Sequence, residues 1–134
     1  MSEAARVGIV LVSHSSALAE GAAELAGQIG GGTVLIVPAG GTEDGRIGTS
    51  EAKVRKAIAA ASAGAGVLII PDLGSAVLTM RVLLSEPASL PEPVALADAP
   101  FVEGAVAAAV AAAVGGDIKA VLAAAEEARN ARKL

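Results

Sequence analysis

Four short apolar runs, VGIVLV (residues 7–12), TVLIV (33–37), GVLII (66–70) and PVALA (93–97), each give way to a polar or glycine-bearing turn and then to helical periodicity. The first three do not alternate polar with apolar residues. That marks strands covered on both faces, as in a parallel sheet flanked by helices. Repeated strand–helix alternation predicts an α/β domain: an open, doubly wound, mainly parallel four-stranded sheet with right-handed crossovers and helices on both faces. Leu18, Ala22, Leu25 and Ile29 stripe a first helix, stopped by Gly30, Gly31 and Gly32. Val54, Ile58 and Ala61 stripe a second, ended near Gly64, and Val77, Met80 or Arg81, and Leu84 a third, closed by Pro87. A fourth carries Val102, Val106, Val110 and Val114 and ends at Gly115 and Gly116. Asp117 caps a fifth, striped by Ile118, Val121, Leu122 and Ala125, with Arg129, Arg132 and Lys133 suiting the negative end of its dipole.

Nothing in the 134 residues suggests a linker, a low-complexity tail or a repeat, so residues 1–134 are read as one domain. Hydrophobic residues make up 54% of the chain, which excludes intrinsic disorder. With aromatics at 1% and a net charge of −4, the chain lacks both the stacking rings and the basic footprint of a nucleic-acid binder. No cysteine is present, which excludes a disulfide scaffold or thiolate metal site and suits a reducing cytoplasm. No apolar stretch reaches the roughly 20 residues a membrane span needs, and the first strand run is too short for a signal peptide. The alanine-rich fourth and fifth helices either form a dimer surface or are simply good helix formers.

In open α/β sheets ligands bind beyond the carboxyl ends of the strands, so the residues that follow each run carry the argument. His14, the chain's one histidine, follows the first run and sits among Ser13, Ser15 and Ser16. One reading is a junction histidine bonded to a backbone carbonyl. The other is a phosphoryl acceptor, because imidazole is nucleophilic near neutral pH and needs no separate base. Ser15 or Ser16 as the cap of the first helix would leave amides beside the ring for phosphate oxygens, and this context favours phosphoryl acceptance. Asp72 ends the third run, where it either orients the His14 ring or caps the turn into a helix begun by Gly74 or Ser75. The two roles are compatible. Residues 40–48 open like a phosphate-binding loop at Gly40, but Arg46 and Ile47 stand where that loop requires Lys and Ser or Thr. Gly40, Gly41 and Thr42 are therefore read as a partner-facing or rim loop, with Thr49 or Ser50 capping the second helix. One histidine and no cysteine leave no transition-metal site.

Residues 8–21, GIVLVSHSSALAEG, resemble the opening of the mannose-type enzyme IIA family of the bacterial sugar phosphotransferase system. Three further segments, GGTEDGRIGTS (40–50), DLGSA (72–76) and APFVEGA (99–105), are similar in particular to the phosphotransfer subunits of phosphoenolpyruvate-dependent dihydroxyacetone kinases. The resemblance implies that His14 takes a phosphoryl group from the phosphocarrier HPr and passes it to ADP held on a nucleotide-binding subunit, which then supports phosphorylation of dihydroxyacetone. It implies Asp72 as the orienting carboxylate, a homodimer, and separate HPr and enzyme I. The resemblance also implies that no cofactor resides on the chain beyond the covalent phosphohistidine. Ser13, Ser15, Ser16, Gly74 and Ser75 are the expected phosphate contacts, their backbone amides foremost. Alternatives are a sugar-transporter IIA domain passing phosphate to a IIB protein, and a non-catalytic regulatory domain.

Overall fold

The structure, a computed structural model, describes residues 5–86 and 90–134. Strands β1 (Gly8–Ser13), β2 (Ile36–Gly40), β3 (Val67–Pro71) and β4 (Val94–Leu96) form one sheet in the order β2-β1-β3-β4, with every pairing parallel. Between and after them run α1 (Ser16–Ile29), α2 (Glu51–Ala61), α3 (Gly74–Leu84), α4 (Phe101–Ala113) and α5 (Ile118–Glu127), and a 3₁₀ turn follows at Ala128–Asn130. The α/β architecture expected from the alternating runs is therefore present. The chain passes from β1 to one side for β2 and to the other for β3. This places the topological switch at the carboxyl end of β1, where His14 lies. No helix among the described residues is long and apolar enough to cross a membrane.

Because successive strand side chains point to opposite faces, β1 divides its apolar residues between two cores. Val7, Ile9 and Leu11 join Leu68 and Ile70 beneath α1, α4 and α5, whereas Val10 and Val12 join Val67 and Ile69 beneath α2 and α3. On the second face α2 obeys the expected periodicity, while on α3 only Met80 of the expected stripe is fully buried and the core face is shifted to Ala76 and Leu83. Val54, Ile58 and Ala61 are buried on α2, and Met80 is buried on α3 with Ala76 and Leu83, while Val77 and Leu84 are half-buried and Arg81 is exposed. Caps form where expected: Ser15, Ser50 and Asp117 accept from Leu18, Lys53 and Ala120 amides. Pro87 lies outside the described residues.

Two helical stripes run the other way from expectation. On α1 the residues facing the sheet are Ala19, Ala22 and Ala26, while Leu18, Leu25 and Ile29 are exposed. On α4 the buried face is Gly104, Ala105, Ala108, Ala109 and Ala112, and Val102, Val110 and Val114 point outward. The cause is closeness. A Cβ built on Gly30, just beyond α1, would lie 3.0 Å from the Ala109 Cβ on α4, so the contact face has no room for branched side chains. The inward alanines also remove the buried alanine face of α4 from consideration as a dimer surface; Val102, Val110 and Val114 are what solvent meets, while Val106 is half-buried against the core.

The second strand starts three residues later than the TVLIV run suggests, at Ile36 rather than Thr33, and continues through Pro38 to Gly40. Pro38 reads as a strand stop, yet β2 is an edge strand, where a residue without an N–H is tolerated. The register pairs Ile9 with Ile36 and Ser13 with Gly40, which carries the end of β2 up to the His14 junction.

Candidate functional site

Three carboxyl-end junctions meet around His14. The β1–α1 turn supplies the ring, the β3–α3 turn supplies Asp72 and Ser75, and the loop after β2 closes over the backbone. Parallel pairing of β1 with β3 brings Asp72 within reach; its N–H donates to the Val12 carbonyl at 2.9 Å, continuing the ladder by one rung.

Asp72 is held by donors on every side. The His14 ring approaches through Nδ1, 3.0 Å from Oδ1, and the Leu73 N–H donates to the same oxygen at 2.7 Å. Oδ2 accepts from the His14 N–H at 3.0 Å and from the Ser13 hydroxyl at 2.9 Å. Burial pushes the Asp72 carboxyl upward, but the hydrogen bonds from the His14 backbone and ring and from Ser13, with the charge of the ring, outweigh it and hold the group below its usual value of 3.8. An ionised carboxylate can only accept, so Nδ1 carries a proton, and in the neutral form of the ring it is Nε2 that keeps the in-plane lone pair.

Nε2 faces α3. The Ser75 hydroxyl lies 2.7 Å from it and is the donor in that contact. Leu73 caps α3 without a side-chain hydrogen bond, so no cap side chain takes the first amides of this helix, Gly74 and Ser75, at the positive end of its dipole, the same turn whose Ser75 hydroxyl meets Nε2. The His14 side chain is 19% exposed: the ring is gripped on its Nδ1 side and reachable on the other.

The three serines flanking His14 are placed differently from Ser75. Ser13 is fully buried; its hydroxyl donates to Asp72 and accepts from the Ser15 N–H at 3.0 Å, so it positions the carboxylate and cannot reach a phosphoryl group. The Ser15 hydroxyl accepts from Leu18 N–H as the helix cap, and the Ser16 hydroxyl donates to Glu20 at 2.7 Å. What this junction offers an anion is the first-turn amide row of α1 rather than its hydroxyls.

Gly40 and Gly41 lie against the site for steric reasons. A Cβ on Gly40 would sit 2.5 Å from the Ser15 carbonyl oxygen and 2.7 Å from Ser16 Cα, and Gly41 adopts φ +71 while donating to the Ser13 carbonyl at 3.0 Å. Thr42 does not touch the ring. Its amide donates to the Arg46 carbonyl at 2.9 Å and its hydroxyl oxygen accepts from the Arg46 amide at 3.0 Å, which closes the turn on itself. Two contacts escape the residue-by-residue sequence reading. The Gly48 amide donates to the His14 carbonyl at 3.0 Å, and the Leu73 amide donates to Asp72. The glycine at 48 signals an unusual backbone, but only the fold shows what it bonds.

An imidazole held through Nδ1 by an ionised carboxylate, with Nε2 presented to a helix N-terminus, has the chemistry to accept a phosphoryl group and release it again.

Comparison with known proteins agrees with this chemistry. Residues 8–122 match the EIIA-man family, described as the PTS system fructose IIA component. The chain is 39% identical over 117 residues to the PEP-dependent dihydroxyacetone kinase 2 phosphoryl donor subunit DhaM of Listeria innocua, covering 87% of this chain and 94% of the relative. It is 42% identical over 120 residues to the corresponding DhaM subunit of Escherichia coli K12, covering 87% of this chain but 25% of that longer protein. Among solved structures, a protein of unknown function superposes with a TM-score of 0.79 at 36% identity, covering 96% of this chain and 97% of the other. The chain belongs to the mannose-type enzyme IIA family, within its group of DhaM phosphoryl donor subunits of PEP-dependent dihydroxyacetone kinases.

Proposed function

We propose that this chain is the phosphohistidine carrier that connects the phosphocarrier HPr to ADP on the nucleotide-binding subunit of a dihydroxyacetone kinase. The observation that carries the reading is the split use of one ring: Nδ1 to Asp72 at 3.0 Å, Nε2 free of any carboxylate and facing Ser75 and the α3 N-terminus.

In the loading step the Nε2 lone pair attacks the phosphorus of phospho-HPr. The N–P bond on the donor breaks as the new one forms, and its electron pair returns to the donor ring. Asp72 stabilises the positive charge that develops on the His14 ring and keeps Nδ1 protonated throughout. The Ser75 hydroxyl turns from Nε2 to a phosphoryl oxygen, and the Gly74 and Ser75 amides take the others. In the discharge step a terminal oxygen of ADP attacks the same phosphorus from the side opposite Nε2. The N–P bond breaks, its electrons return to Nε2, and no proton changes hands. The chain contributes placement and charge stabilisation, and the nucleotide stays on the partner. The shallow setting of the ring suits two large proteins that dock in turn, and the chain acts as a homodimer.

The test is a reconstituted relay. Incubation with phosphoenolpyruvate, enzyme I and HPr should add one acid-labile phosphoryl group to the intact mass. Adding the nucleotide-binding subunit with ADP should remove it and yield ATP. A chain that never gains the mass is a non-catalytic domain, and one that loads but discharges only to a IIB protein serves sugar transport; either result overturns the proposal.

A further inference from the structure

Beside the site, at the carboxyl ends of β3 and β4, a cleft of about 440 Å³ is lined by Asp72, Leu73 and Gly74 together with Arg81, Leu96 and Asp98. Arg81 is the one charged residue of α3. It stands six positions beyond Ser75, about 9 Å along the helix axis, and its guanidinium has no partner among the described residues. Of the other cations on this side of the sheet, Arg46 pairs with Asp44 at 3.3 Å and Lys53 donates to the Gly40 carbonyl at 3.1 Å, while Lys56 lines the separate cleft that holds Lys53. Asp98, a second carboxylate of the cleft beside Asp72, pairs with Arg129 at 3.4 Å.

Resting on the carrier function proposed above, we infer that Arg81 is a specificity-determining residue for the discharge step, offsetting the repulsion between the loaded histidine and the polyphosphate of the acceptor nucleotide. The two half-reactions differ in charge. During loading, a phosphoryl dianion approaches a neutral ring. During discharge, the phosphoryl dianion already on His14, beside the Asp72 carboxylate, must be met by a nucleoside diphosphate that carries three negative charges of its own. Only the second encounter brings two polyanions together. A cation lining the same cleft as Asp72 acts on it through the Coulomb field, strongly where docking excludes water and weakly at high salt. Arg81 also lies in the last turn of α3, where any cation suits the helix dipole. That role alone would leave both half-reactions equally affected.

The experiment measures the two half-reactions separately on the full chain. Single-turnover loading from phospho-HPr is compared with single-turnover discharge to ADP on the nucleotide-binding subunit, for wild type, Arg81→Gln and Arg81→Lys, at low and high salt. The expected result is discharge slowed about tenfold by Arg81→Gln with loading within twofold, largely restored in Arg81→Lys, and a gap that narrows as salt rises. Discharge within twofold of wild type, or loading and discharge slowed alike, overturns the inference and leaves the carrier function standing. A wild-type chain that fails to load, or loads but does not discharge to ADP, overturns both.

Discussion

The His14 junction and the α1–α4 flank lie on the same small sheet and are built on opposite logics. At the junction each polar atom has its own partner: Asp72 alone receives from the His14 ring, the His14 amide, the Ser13 hydroxyl and the Leu73 amide. At the flank almost nothing is polar, and the design lies in what is missing, namely side-chain volume, with Ala22, Ala26, Ala108 and Ala109 letting the helices close on the sheet. A substitution at the junction should therefore change chemistry more than stability, and one at the flank should do the reverse.

The largest effect should come from His14→Ala. Phosphoryl acceptance is lost entirely while the circular dichroism spectrum and a cooperative melt persist, because the ring belongs to neither apolar core and its backbone bonds remain. A variant that still carries phosphate would break the comparison at its first point. Asp72→Asn comes next, with loading slowed by two to four orders of magnitude, because an amide facing Nδ1 favours the tautomer that removes the Nε2 lone pair. The same change should cost about 1–3 kcal/mol of stability, since donors around a carboxylate meet an amide nitrogen instead. Denaturant titration and stopped-flow loading measure the two halves.

On the flank, Ala109→Leu should destabilise by about 1–3 kcal/mol through overpacking against Gly30 and α1, with loading per folded molecule unchanged. A loss of loading out of proportion to unfolding would show that the two regions are coupled. The pH dependence sharpens the junction side. Because the folded pKa of Asp72 is lowered, its contribution is complete above the unfolded value near 3.8 and is lost as pH falls from there through the folded value. The stability gap between wild type and Asp72→Asn should accordingly close in acid and stay constant above that window. The smallest effect is expected at Leu25→Ala, within about 0.5 kcal/mol, because Leu25 is exposed on the same helix whose alanines are buried.

The comparison also explains what could be read from the chain. His14 stood out because a single imidazole at the end of a buried apolar run is placed by strand topology alone, and Asp72 because it ends the run that pairs beside it. Fold class followed from the uninterrupted runs. The faces of α1 and α4 did not follow, because periodicity assigns the larger apolar residues to the core, whereas a close helix contact selects the smaller ones. The end of β2, which runs past Val37 to Gly40, was not legible because Pro38 reads as a break unless the strand is known to be an edge. Ser13 illustrates a further limit. Its residue type suits phosphate contact, and only burial reveals that its hydroxyl serves the carboxylate.

The central claim is that Nε2 of His14 is the atom that carries the phosphoryl group. Nitrogen-15 and phosphorus-31 NMR of the loaded chain, labelled at histidine, reads this directly through the one-bond coupling. The account predicts a single phosphorus signal coupled to Nε2, with Nδ1 still protonated. A phosphoryl group on Nδ1, or on any residue other than His14, would contradict it.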